Sequence, residues 1–159
     1  MNNQIKNLVL NALVASIYFV LVFVFNFLSF ETIQFRIAEA ILIVVFFNKK
    51  LAPGLVLGTF IANFVFSPFG LIDALIGTLA SLLAIILMII FKKIPFVSLI
   101  FPALTNGIII GVMLSYIYQT PLIVNFFLVF LGEFVVMYTI GLVFYLTINK
   151  REDLQALIK

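Results

Sequence analysis

The chain has 159 residues, of which 65% are hydrophobic and 9% charged, and a net charge of +3. A soluble domain carries about 25% charged residues, so this composition excludes an ordinary water-soluble globule. The absence of Cys and His excludes disulfides, thiol chemistry, imidazole bases and the usual zinc sites, and no G-x-x-x-x-G-K-S/T loop is present to bind ATP phosphates.

One membrane-crossing helix needs about 20 apolar residues, so six would use roughly 120 and leave only short loops. The apolar runs are long and unbroken, unlike the short alternating segments of a β-barrel. The arithmetic predicts an all-α integral membrane protein, residues 1–159 forming a single six-helix transmembrane domain. The first span runs from about Ile5 to Phe27. It lacks a small-x-small cleavage site, so it reads as a retained helix rather than a signal peptide. The second, shorter span runs from about Gln34 to Phe47, the third from about Ala52 to Phe66. The fourth follows Ser67-Pro68-Phe69-Gly70 and ends before Lys92, and the fifth covers Phe96 to Tyr118. The sixth starts after Pro121 and ends near Ile148. Pro53, Pro68, Pro95 and Pro121 punctuate helix starts. Pro102, one turn inside the fifth span, predicts a kink.

Lys6, Lys49, Lys50, Lys92, Lys93, Lys150, Arg151 and Lys159 all fall on one side of such a bundle. The opposite side carries Phe30-Glu31-Thr32, Ser67 to Gly70 and Gln119-Thr120, with no Lys or Arg. This asymmetry predicts cytoplasmic termini in a multi-pass protein of the cell membrane. The net charge then reports topology and implies no nucleic-acid partner.

Small residues recur every fourth position: Gly54, Gly58 and Ala62 on the third span, and Ala103, Gly107, Gly111 and Ser115 on the fifth. Asp73, Gly77 and Ser81 share a face of the fourth. Such faces let helices approach closely in lipid and predict packing inside the bundle. The pair Ala12 and Ser16 on the first span fits internal packing or a partner protein equally well.

The apolar spans also hold Glu39, Asp73, Glu133, Gln34, Arg36, Asn63, Asn106 and Asn125. A charge at mid-membrane costs about 2.5–3.5 kcal/mol on insertion scales, so three carboxylates need pairing, water or a ligand. Arg36 and Glu39 are three apart and can pair on a helix. Asp73 lies near a helix start, where the dipole favours a carboxylate. Glu133 has no Lys or Arg within a turn. A cavity open to the outside and floored near mid-membrane would collect these groups. Carboxylates accept from paired N–H donors, and amides both donate and accept. The chemistry fits a small, polar, amine-bearing ligand: guanine-like, thiamine-like, an amino acid or a polyamine.

Gln34-Phe35-Arg36-Ile37-Ala38-Glu39-Ala40, then Pro53-Gly54, Gly58 and Ala62-Asn63, then Ile72-Asp73, Gly77-Thr78-Leu79-Ala80, Asn106, Gly132-Glu133, Tyr138 and Gly141 resemble, in order and spacing, the QueT family. These are substrate-binding S components of energy-coupling factor transporters. The resemblance runs from the first span to about Gly141. It implies a six-helix S component with no enzymatic activity and no cofactor, binding a 7-deazaguanine such as preQ1, preQ0 or queuine. Its partners would be a transmembrane coupling subunit and two ATPase subunits. Glu39, Asp73 and Glu133 would face the ligand, and Arg36, Gln34, Asn63 and Asn106 would orient the base or neutralise a neighbour. S components often dock through an Ala-x-x-x-Ala pair on the first helix, and Ala12 and Ser16 stand in that place here. Ala38 stands where the family segment has Ser, which bears on substrate preference. The other classes weighed are an S component for another amine-bearing vitamin or nucleobase, a stand-alone carrier or channel, and a membrane enzyme. The largely apolar cytoplasmic halves of the spans disfavour a carrier or channel. No nucleophile–base set supports an enzyme.

Overall fold

The computed structural model describes residues 2–31 and 33–158. Thr32 of the predicted outer loop and Lys159 of the basic set lie outside the described residues. Among the described residues all regular structure is helical, and five helices are long and apolar enough to cross a membrane: Asn3–Val24, Lys49–Phe66, Leu71–Ile90, Pro95–Tyr118 and Leu122–Lys150. They are the first, third, fourth, fifth and sixth helices below.

Local chemistry explains their ends. Asn2 caps the first helix by accepting from Gln4 N at 3.2 Å, and Asn48 does the same for Lys50 N at 3.0 Å where the third begins. Pro53 sits in the opening turn of the third, where a missing N–H is harmless. Gly70 starts the fourth at φ +51°, a conformation that disfavours L side chains. The fifth helix is two pieces, Pro95–Ser98 and Phe101–Tyr118. Pro102 therefore stands in the first turn of the longer piece and marks a restart, not the kink within a continuous helix that its position predicts. The sixth helix carries one wide π turn, Met137–Gly141, a feature often found at functional sites.

The second helix differs most from expectation. It is a 3-10 helix of ten residues, Ile37–Phe46, so Gln34, Phe35 and Arg36 lie outside it in irregular chain. Its residues are apolar around the whole circumference except for Glu39, and seven of the ten are buried, as befits a core helix. It packs against the first, fourth and sixth helices.

The glycine faces of the third and fifth helices do pack inside the bundle. A Cβ on Gly54 would strike the Asn11 backbone, and one on Gly58 would lie 3.0 Å from Ala15 Cα. Gly107 and Gly111 admit Phe126 and Phe130 of the sixth helix. The first helix touches the bundle along one stripe, Val14, Ala15, Tyr18 and Val22, while Leu8, Leu13, Ile17, Val20 and Phe23 stay exposed.

Two contacts tie the first helix and the C-terminal segment to the basic turn before the third helix. Asn11 Nδ2 donates to Lys50 O at 2.9 Å, and Asn48 Nδ2 donates to Ile158 O at 2.8 Å. The latter holds a short terminal helix, Glu152–Ile158, that the hydropathy pattern does not reveal.

Candidate functional site

The site is built on the irregular chain between the first and second helices. The chain reverses after Ser29, and Phe35 N donates to Leu28 O at 3.0 Å. Gln34 and Arg36 are thereby turned inward, each 3% exposed. Non-helical backbone at membrane depth is tolerated where protein buries it or it lines a cavity. Gly132 supplies the berth: a Cβ there would overlap the Gln34 carbonyl, so only glycine lets this strap lie directly on the sixth helix. The next residue along that helix is Glu133, and the berth sets Arg36 beside it.

Arg36 is the hub. Its Nε donates to Gln34 Oε1 at 3.1 Å and stands 3.9 Å from Glu133 Oε1. Its Nη2 is 3.7 Å from Asp73 Oδ1, and the Phe30 ring centroid is 5.8 Å from Cζ. Both acids are near enough to balance its charge yet too far for good hydrogen bonds. Among the described residues, Nη1 and Nη2 of Arg36, Oδ1 of Asp73 and both Glu133 oxygens have no hydrogen-bond partner. Folded proteins leave few buried polar atoms in that condition, and each calls for an explanation.

Glu39 is held differently. Its Oε1 accepts from Tyr18 Oη at 2.8 Å and from Ser81 Oγ at 2.7 Å, while Oε2 is unpartnered. The expected three-apart pairing of Arg36 with Glu39 does not occur, because Arg36 precedes the helix and turns to Asp73 and Glu133. Asp73 likewise makes no capping hydrogen bond although it lies in the first turn of the fourth helix. Asn63 Nδ2 reaches Asp73 O at 3.4 Å. A Cβ on Gly77 would meet the side chains of Asn63, Asp73 and Arg36, so this glycine keeps open the space they share. Asn106 is buried but apart: its Nδ2 donates to Pro102 O at 3.0 Å within its own helix, and its Oδ1 is unpartnered. The structure thus brings Gln34, Arg36, Asp73, Asn63 and Glu133 together, with Glu39 anchored to the first and fourth helices.

Tyr18 and Ser81 are the polar partners that sequence reasoning missed. Ser81 shares a helix face with Asp73 and Gly77, a spacing that points to packing. Tyr18 lay in an unbroken apolar run with no spacing signal toward Glu39.

Above the strap is a pocket of about 440 Å³ lined by Phe30, Glu31, Gln34, Phe69, Leu114, Tyr118, Thr120 and Asn125. It draws on the turns that carry no Lys or Arg, away from the basic end. A second, almost wholly apolar groove of about 410 Å³ runs between the first and third helices, lined by Ala12, Ala15, Ser16, Phe19, Val20, Leu57, Gly58 and Ile61.

A family model described as QueT transporter matches residues 8–150, the whole of this constellation. The chain belongs to the QueT transporter family. One QueT relative is the queuosine precursor transporter QueT of Lactococcus lactis subsp. cremoris (strain MG1363). It is 30% identical over 158 aligned positions, covering 90% of this chain and 92% of that protein. No solved structure matches the chain. With five helices able to cross a bilayer, this QueT family member is a multi-pass protein of the cell membrane.

Proposed function

We propose that the chain is the substrate-binding S component of an energy-coupling factor transporter, and that it captures a 7-deazaguanine queuosine precursor from outside the cell. The observation that carries this reading is Arg36 held between Asp73 and Glu133 with unpartnered oxygens on both acids. Three buried acids stand against one buried guanidinium, an excess of carboxyl groups over cations that a protonated amine on the ligand would complement. A guanine-like edge offers paired N–H donors to a carboxylate and a carbonyl to Arg36 or an amide. In this reading Glu39, Asp73 and Glu133 face the ligand, and Gln34, Arg36 and Asn63 orient the base, while Asn106, bonded within its own helix, takes no part. The name of the Lactococcus relative supports the substrate class. A different small amine-bearing vitamin or nucleobase is the second reading, because the same excess of carboxyl groups would serve it.

The second helix completes a six-pass topology. Ten residues of 3-10 helix rise about 20 Å at ~2.0 Å each, and a few residues of irregular chain cover the remainder of a hydrocarbon core about 30 Å thick. Both termini are cytoplasmic in this reading, which the one-sided distribution of Lys and Arg supports. ATP hydrolysis falls to two ATPase subunits acting through a coupling subunit, which would dock on the apolar groove beside Ala12 and Ser16. Ser16 Oγ donates to Ala12 O at 2.8 Å, so its hydroxyl is satisfied within the helix and the face it presents is effectively apolar. Ala12→Leu and Ser16→Leu should abolish uptake in cells while leaving ligand affinity of the purified protein unchanged. Normal uptake by both variants would remove the docking assignment.

The direct test is calorimetric titration of the detergent-purified chain with preQ1, preQ0, queuine, guanine and thiamine. Tight binding confined to deazaguanines is expected. Binding of thiamine or guanine alone would transfer the assignment to the second reading.

A further inference from the structure

Resting on that reading, we infer that the outer pocket is a second subsite of the same ligand site. It takes a hydroxylated ring carried on the amine of the base, so the protein prefers substituted deazaguanines of the queuine type to the bare aminomethyl base.

The first argument is continuity. Phe30 and Gln34 join the pocket to the Arg36 cluster: each lines the pocket, Phe30 lies over the Arg36 guanidinium, and Gln34 Oε1 accepts from Arg36 Nε. A base seated against Asp73 and Glu133 would direct its substituent past Gln34 into the pocket. The second argument is room. A volume of about 440 Å³ lies within the ~300–1,000 Å³ of small-molecule sites, room for a ring substituent beyond the base.

The third argument is the pattern of donors and acceptors. Asn125 spends both N–H groups on Ser115 Oγ at 2.8 Å and Thr120 Oγ1 at 2.7 Å, so its Oδ1 is left as an acceptor. Thr120 accepts that bond and keeps its own proton to donate. Gln34 has its oxygen engaged by Arg36, which leaves its amide N–H groups as donors. Neutral donors and acceptors alternating around one pocket match hydroxyl groups, which do both. Phe69 and Tyr118, edge to face at 5.8 Å, supply an apolar wall for the carbon face of a ring. Glu31 is the ionisable carboxylate of the lining, so a phosphorylated ligand would be repelled.

The experiment compares queuine with preQ1 by calorimetry on the wild-type chain, Asn125→Leu and Thr120→Val. Wild type should bind queuine at least ~10-fold more tightly than preQ1. Each variant should weaken queuine about tenfold and preQ1 less than about twofold. Retained preQ1 binding shows that a variant is folded, and Thr120→Val keeps the side-chain shape should Asn125→Leu be poorly behaved. Equal wild-type affinities, or variants that change both ligands alike or neither, overturn the subsite. A folded wild-type chain that binds neither ligand overturns the substrate reading itself, and the subsite with it, before any variant is made.

Discussion

Arg36→Met is expected to destabilise the protein by about 3–5 kcal/mol and to abolish tight ligand binding, because it strands buried acids without their cation. Asp73 and Glu133 sit 3.7 and 3.9 Å from the guanidinium, and Arg36 is the basic side chain within reach of either among the described residues. The same logic makes a coupling prediction. Glu133→Gln alone should weaken an amine-bearing ligand more than ~10-fold through loss of a charge-assisted contact. In the Arg36→Met background the same change should cost little stability or even restore some, since it removes a stranded charge. Thermal unfolding of the four proteins in detergent gives the double-mutant cycle. Strictly additive losses would mean that the two groups do not interact, and the hub assignment would fall.

Gly132→Ala is the second large effect. The added Cβ would meet the carbonyl of Gln34, which is backbone and cannot rotate away. Relief requires the strap to lift off the sixth helix, costing about 1–3 kcal/mol as overpacking does. The strap carries Gln34 and Arg36, so affinity should fall further than stability. Gly141→Ala on the same helix is the control: its Cβ would touch only side-chain atoms of Met137 and Ile43, at 3.4 Å or more. That change should be neutral or slightly stabilising, because Ala favours helix over Gly. Equal affinity in the two variants, measured by titration with preQ1, would show that the strap does not depend on Gly132.

These two residues mark where sequence reading succeeds and where it stops. Glu133 was conspicuous because an acid without a nearby base stands out in an apolar run. Gly132 was visible within the Gly-Glu motif, but its reason was not, since the atom it avoids lies about a hundred positions away along the chain. Arg36 was visible as a misplaced charge, yet local spacing pointed to Glu39. The spacing rule holds only if both residues share an α-helix. They do not, because the chain enters the bundle as irregular strap and 3-10 helix, a choice that tertiary burial made against no local signal. Asn106 had the same sequence credentials as Asn63, and only packing separated them: one reaches Asp73, the other bonds to its own helix.

What the sequence determined by itself is the solvent and the skeleton: a membrane protein, helical, with four of its five long helices begun by proline or glycine and its basic turns alternating with turns that hold no Lys or Arg. Those properties follow from composition, from period and from the local chemistry of single residues, all of which are additive along a chain. The tertiary structure decided which acids face Arg36, that Tyr18 and Ser81 hold Glu39, and that the outer turns enclose a pocket over the strap. Such pairings depend on helix rotation and on contacts between residues far apart in sequence. In lipid, where apolar burial no longer distinguishes one helix face from another, close packing at glycines and the need to partner buried polar groups set them.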